Sequence, residues 1–204
     1  QVDGEVATSQ EEVDRAAVTA RMKRRVLEMG ASEAGIAKLN PMFVYSHVGR
    51  GPEPWGAPIV NDHRFAIVFT IEMNYNRVHQ APRLPTVEES ADRYLDAARL
   101  SIELARQIRR MGYPARAHIS DSNYQVMLPP LALDAGLGEL GRLGYLISPK
   151  YGARIRLGAV TTDLPLIPDH PIAFGVQDFC EKCRKCADNC PSAAIPDGSH
   201  TEAR

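Results

Sequence analysis

The chain has 204 residues, and its 24 lysines and arginines nearly balance 25 aspartates and glutamates. That length allows one substantial domain with a small appendage, or two small domains, and a core that needs no disulfides. A formal net charge of −1 argues against gripping nucleic acid or an anionic membrane by charge. No apolar run reaches the roughly 18 residues of a membrane span. The chain opens at Gln1, so its compartment is left open: cytoplasmic without a leader, exported and membrane-associated if a twin-arginine leader has been removed.

Ser9-Gln10-Glu11-Glu12 has the spacing of a capping box, and Gly30 stands where a helix would end. The apolar spacing between them predicts a helix over 10–29. "SEAGIAKL" predicts a short strand, and residues 40–64, with their Pro, Gly and Asn, a long loop. "RFAIVFTIEM" (64–73) is a continuous β-branched and apolar run, which predicts a buried strand. Thr86 to Glu89 is a second capping box, from which a helix should run to Met111 and close at Gly112. "ARAHIS" reads as a strand and "PPLALDAG" as a helix opened by proline. "GYLIS" and "RIRLGAVTT" read as strands, and "DLPLIPDHPIAFG" as a proline-rich linker. The order implies a mixed α/β (α+β) domain over 1–165 and a small cysteine-bearing module over 166–204. The long loops at 40–64 and 74–86 exceed ordinary connections and are expected to shape a ligand site.

All four cysteines lie in one run, Cys180-x2-Cys183-x2-Cys186-x3-Cys190-Pro191. A disulfide framework would scatter them across the fold. Zinc sites present two separated pairs rather than three evenly spaced thiols followed by Cys-Pro. The spacing is that of a bacterial ferredoxin run, and predicts that Cys180, Cys183, Cys186 and Cys190 bind iron–sulfur, as one or two [4Fe–4S] clusters. The fourth cysteine is expected on a helix start, with Pro191 in that helix's first turn. In two-cluster ferredoxins the fourth cysteine of such a run ligates the other cluster. Here either a longer protein or a partner supplies further ligands, or Cys190 closes a single cluster. The favoured expectation is that the chain is a fragment ending before a second motif.

The stretch "LPPLALDAGLGELGRLGYLISPKYGARIRLGAVTTDLPL" (128–166), followed by the cysteines, resembles the corrinoid-dependent reductive dehalogenases. These carry a similar AGLGE–R–G–ITPxYG–R–TDLPL series ahead of two cluster motifs. The likeness extends back through "IEMNY" and "RYLDAARLSIELARQIRRMGYPA" and spans most of residues 20–195. It implies a nitroreductase-like core that binds base-off cobalamin, with a ferredoxin-like module beside it. Gly136, Gly138, Ser148, Pro149 and Gly152 fall in the stretches expected to bind the corrinoid. It further implies a small organohalide substrate and a reductant such as ferredoxin, flavodoxin or a quinol-linked donor. A separate membrane anchor is a possible partner; nucleic acid is not.

Three side chains carry over from the resemblance. Tyr94 lies nineteen residues before Tyr113, and Asn123 twelve before Ala135, as in the family pattern; Arg156 follows "SPKYGARI". About three extra residues between Tyr113 and Asn123 loosen the register there. The implied mechanism has cob(I)alamin act as a two-electron nucleophile on the organohalide, and Tyr94 donate the proton. A phenol, with a reference pKa near 10, remains protonated and can serve such a centre. Arg156 would stabilise the phenolate, and Asn123 would orient the phenol or hold halide. Read without the resemblance, Tyr94 would be a core tyrosine on a helical face with Ala98, Ile102 and Ala105. Asn123 would be a turn residue and Arg156 an ion-pairing strand residue.

Other signals are weaker. Gly136-Leu137-Gly138-Glu139-Leu140-Gly141 matches G-x-G-x-x-G but follows a helix, so it is not a dinucleotide site. Its glycines instead suggest close backbone approach, with the corrin as one candidate. His47, His63, His79, His118, His170 and His200 show no metal-binding spacing, and no D-x-H-x-x-G run offers cobalt a histidine. Two other functions compete. Epoxyqueuosine reductases, which are related, carry a D-x-A-P-V-type run and a G-W-I-G-K series; here the nearest acid is Asp121, one place out of register, and the series reads "GELGRLG". A non-catalytic electron-transfer fragment of the same fold is the third reading.

Overall fold

The structure is a computed structural model that describes residues 1–49, 54–120 and 124–198. In chain order the first half comprises α1 (Arg15–Glu28), β1 (Glu33–Lys38), β2 (Phe65–Glu72), α2 (Tyr75–Val78) and α3 (Leu84–Arg110). The second comprises β3 (Ala115–His118), α4 (Leu128–Asp134), β4 (Glu139–Leu140), β5 (Leu146–Ile147), β6 (Ile155–Thr162), α5 (Val176–Cys183) and α6 (Lys185–Asp188). A single 3-10 turn, Pro41–Phe43, interrupts the long loop after β1.

The main sheet is antiparallel, ordered β1-β2-β6-β3, and β4 pairs with β5 in a separate hairpin. β2 alternates cleanly between the two sheet faces. Ile67, Phe69 and Ile71 join the core beneath α1 and α3, while Ala66 and Val68 join the core beneath α4. The result is three layers, helix–sheet–helix, with a hydrophobic cluster in each gap. Phe69 is wholly buried, worth about 1.5–3 kcal/mol. Its ring lies over β6 at its register partner Gly158, where a Cβ would come within 2.4 Å of the ring. Only glycine leaves room for that crossing.

Both expected capping boxes are put to other uses. α1 starts at Arg15, not near residue 10, because the preceding segment is held extended along the end of α3. The Glu11 amide donates to the Met111 carbonyl, and the Tyr113 hydroxyl donates to the Glu11 carbonyl at 2.7 Å. Asp14 then caps the helix, its carboxylate accepting from Ala17 N–H at 2.7 Å. α3 starts at Leu84, with Pro85 in its first turn. The Thr86 hydroxyl donates to the Arg77 carbonyl instead of capping. Glu89 is only 3% exposed, takes N–H groups from Asn74 and Arg77, and forms an ion pair with Arg93. It pins the loop after β2 to the helix.

The proline-rich linker is likewise not slack. Leu164 and Leu166 are fully buried, and Arg15 donates to the Leu166 carbonyl. Asp169 exchanges bonds with Ile36 on β1: its amide donates to the Ile36 carbonyl and its carboxylate accepts from the Ile36 amide, both at 2.8 Å. Lys23 of α1 pairs with the same carboxylate at 2.6 Å. The segment is therefore a strap over α1 and the β1 edge. No helix follows Cys190 among the described residues; Pro191 sits in a turn, and Ala193 N–H returns to the Cys190 carbonyl.

Candidate functional site

β3 pairs only with Ala159–Thr162, the far half of β6. The near half, from Ile155 to Gly158, has β2 on one side and no strand on the other among the described residues. A cavity of about 300 Å³ opens beside it, lined by Ile155, Arg156 and Leu157 of β6 and by Tyr94 of α3. Val126, Leu128 and Leu146 make its apolar wall, and Tyr45, Tyr124 and Tyr145 add aromatic surface. The volume suits a small molecule.

Tyr94 and Arg156 meet here. On β6, Arg156 shares the face of Gly158 and Val160, which packs toward α3. Its guanidinium carbon lies 4.9 Å from the centre of the Tyr94 ring. Nη2 donates to the Ser90 hydroxyl at 2.6 Å, and Nη1 to the Ile155 carbonyl at 3.4 Å. Ser90 is one helical turn before Tyr94, so α3 supplies both the ring and the anchor for the cation above it. Nε of Arg156 is buried with no hydrogen-bond partner among the described residues. Tyr94 is 39% exposed, and no described residue hydrogen-bonds its hydroxyl. It is thus not a packed core tyrosine: it lines the cavity, with no partner for its hydroxyl among the described residues. Asn123 and Asp121 lie outside the described residues, as does His200.

The remaining predicted residues divide. A Cβ at Gly136 would come within 2.6 Å of the His170 carbonyl, and one at Gly138 within 2.1 Å of the Ile147 carbonyl. The close approach expected of these glycines is present, and it is to the chain's own backbone. Ser148 is buried and organises the turn after β5. Its hydroxyl donates to Glu33 at 3.1 Å and accepts from the amides of Lys150 and Tyr151 at 3.2 Å. Gly152 closes that turn against Ser148 with φ +61°, and a Cβ there would meet nothing within 4 Å. Pro149 is exposed in the same turn. Of these five, only Gly152 and Pro149 present an open face.

The cysteines lie along two short helices and just beyond the second: Cys180 is within α5 and Cys190 two residues past α6. Cys183 ends α5 and Cys186 lies in α6, with Arg184 left-handed between them at φ 52°. All four thiols are free and half-buried. Among the described residues, no three Cys, His, Asp or Glu side chains converge as ligands of one ion. The run thus gathers the four sulfurs without aiming them at a common point. The donor set is nonetheless entirely soft thiol, with N–H and O–H groups directed at sulfur. Arg142 N–H donates to Cys180 Sγ at 3.4 Å, and Ser192 Oγ lies 3.4 Å from Cys190 Sγ. Hydrogen bonds from Ser192 and from the amides of Ile195 and Ala194 bring the Cys190 thiol down to about 7. This chemistry fits a thiolate-ligated cluster.

Sequence reasoning missed Ser90, which carries no motif and stands out only by lying four residues before Tyr94. It also missed Tyr45 and Tyr145, which come from loops, and the grip of Arg142 on the cysteine module.

The antiparallel sheet with helices on both faces is a mixed α/β fold, the fold of the solved reductive dehalogenases. No family model matches the chain. It is 41% identical over 129 residues to a tetrachloroethene reductive dehalogenase of Desulfitobacterium hafniense, covering 63% of this chain and 23% of that protein. The tetrachloroethene reductive dehalogenase of Sulfurospirillum multivorans is 35% identical over 199 residues, 84% of this chain and 39% of that one. The solved catabolic reductive dehalogenase NpRdhA, in complex with 3-bromo-4-hydroxybenzoic acid, superposes with a TM-score of 0.83 at 33% identity, over 95% of this chain and 28% of that chain. This chain belongs to the reductive dehalogenase family, and it spans about a quarter to two-fifths of the length of the curated relatives it matches. Epoxyqueuosine reductase from Streptococcus thermophilus, with a TM-score of 0.59 at 16% identity, shares the fold alone.

Proposed function

We propose that the chain carries the substrate-reducing site of an organohalide reductase, in which R–X takes up two electrons and one proton to give R–H and halide. One observation carries this reading: Tyr94 and Arg156 converge on a small, largely apolar and aromatic cavity. The lining favours a small apolar or aromatic halide over a charged polymer. Tyr94 donates the proton that the carbon needs once halide leaves. Arg156, fixed above the ring, lowers the cost of the phenolate that remains. Its buried Nε, unpartnered among the described residues, is a donor for halide or for a polar substrate group; the family resemblance gives Asn123 the role of orienting the phenol or holding halide.

A corrinoid bound here would supply the electron pair that displaces halide. The turn at Ser148, Pro149 and Gly152 is the part of this chain that would meet it. Gly152 leaves that face unobstructed, whereas Ser148 is engaged with Glu33 and serves by holding the turn. Gly136 and Gly138 are closed by the chain's own carbonyls and act by shaping the hairpin. Cys180, Cys183, Cys186 and Cys190 would hold iron–sulfur and pass electrons singly from a ferredoxin-, flavodoxin- or quinol-linked donor.

The test is anaerobic reconstitution with cobalamin, iron and sulfide, followed by viologen-driven halide release from chlorinated or brominated alkenes and phenols. Tyr94→Phe should retain both cofactors by visible and EPR spectra and lose about 100-fold or more in rate, the usual contribution of a general acid. An unchanged rate in that variant removes Tyr94 from the chemistry.

A further inference from the structure

The hairpin formed by β4 and β5 holds the cysteine module by three separate contacts. The Glu139 carboxylate, 7% exposed, accepts the first free amide of α5, Val176 N–H, at 2.6 Å. Gln177 donates to the Leu140 carbonyl at 2.5 Å. Arg142, in the turn between the two strands, reaches furthest. Its Nε and Nη2 donate to the Cys180 carbonyl at 3.4 and 3.2 Å, and its Nη1 to the carbonyls of Pro196 and Gly198 at 2.8 and 2.7 Å. These acceptors are Cys180, where the cysteine run starts, and two residues six and eight places beyond Cys190, where it ends. One planar guanidinium therefore brackets the run and ties both flanks to the hairpin. Few side chains can do this: the fork presents donors in two directions at once, which a lysine ammonium on a single point cannot reproduce. The same residue's amide points at Cys180 Sγ. The other closure of the run, Arg184 with Asp197 at 2.9 Å, is exposed on both sides and contributes little.

We propose that Arg142 is a positioning residue of the cluster site: it closes the cysteine run into a ring against the hairpin and raises the reduction potential of the cluster held there. The inference rests on the reading of the cysteines as iron–sulfur ligands. Reduction adds negative charge to the cluster. A fixed cation and an N–H donor beside one of its sulfurs both favour the reduced form. The amide survives any side-chain substitution, so the two contributions can be separated.

The experiment uses the full chain, reconstituted anaerobically with iron and sulfide, as wild type, Arg142→Gln and Arg142→Lys. Two quantities are read: the rate at which a chelator strips iron, and the midpoint potential by EPR-monitored titration. The glutamine variant should lose iron several-fold faster and titrate at a more negative potential. The lysine variant should recover the potential but not the resistance to chelation, since it restores charge without the fork. Glutamine and wild-type proteins that agree in both quantities overturn the proposal. Should the glutamine variant not fold, the lysine variant decides: faster stripping at an unchanged thermal unfolding midpoint supports the clamp, and equal stripping overturns it. A wild-type chain that takes up zinc and no iron refutes the reading of the cysteines themselves, a result distinct from a cluster-bearing chain indifferent to Arg142.

Discussion

Ser90 illustrates how little of a site one residue type announces. It is an unremarked helix serine, yet its hydroxyl at 2.6 Å fixes the guanidinium above the Tyr94 ring. Removing a hydrogen bond to a charged group costs about 1.5–3 kcal/mol when no substitute forms. Among the described residues, Arg156 would then keep the longer contact to the Ile155 carbonyl. Ser90→Ala should therefore cut halide release about tenfold or more with thermal stability little changed, and Ser90→Thr should restore it. Steady-state rates on one halide check this; a rate loss in step with unfolding would make Ser90 merely structural. Tyr94 itself shows what hydropathy cannot supply. A tyrosine at core spacing on an amphipathic helix looks the same whether its ring meets packed side chains or a cavity. The family register singled out Tyr94 and Arg156, and the geometry brings them together; composition alone would have left them as a core ring and a strand cation.

At the scale of elements, strands were easier to read than helix starts. β2 is a run of β-branched and apolar residues, and nothing in the tertiary structure contests it. The two S/T-x-x-E patterns failed because groups within them were claimed by other partners: the Glu89 carboxylate by Asn74 and Arg77, and the Glu11 backbone by Met111 and Tyr113. The strap was legible in principle, since Leu164 and Leu166 alternate around Pro165, but prolines masked that alternation. β3 and β6 carry a further consequence. His118 of β3 is fully buried, accepts Gln125 N–H at Nδ1 and bonds Thr161 of β6 through Nε2 at 2.9 Å. Thr161 also meets His63 and Asn61. Burial first, then the positive Arg116 and the neighbouring His63, bring His118 down to about 3. The unfolded chain binds a proton near pH 6.5 that the folded chain refuses. This stability is complete above pH 6.5 and drains away as pH falls toward 3. Urea unfolding of the wild type and His118→Asn should show their stability difference shrinking from pH 7 to pH 4, within that window. A constant difference would place the titration elsewhere.

The whole molecule is a sheet with a hydrophobic cluster on each face, a cavity where one strand outruns its neighbour, and a cysteine module fastened to a hairpin beside it. The sheet strands and the cysteine run were legible in the sequence; the fastenings between them were not, because they depend on single carboxylates and one guanidinium whose partners lie 37 to 146 positions away. Asp169, gripped by Ile36 and Lys23, is the clearest of these. Glu139 and Arg142 hold the module on the far side of the intervening segment, so both of its ends are fastened. If the sulfurs hold iron as proposed, electrons entering there should travel over a span set when the chain folds, not one sampled by swinging. Thickening the solvent with glycerol ought to leave halide release unaltered under saturating donor, whereas a carrier on a loose leash would slow in proportion to viscosity.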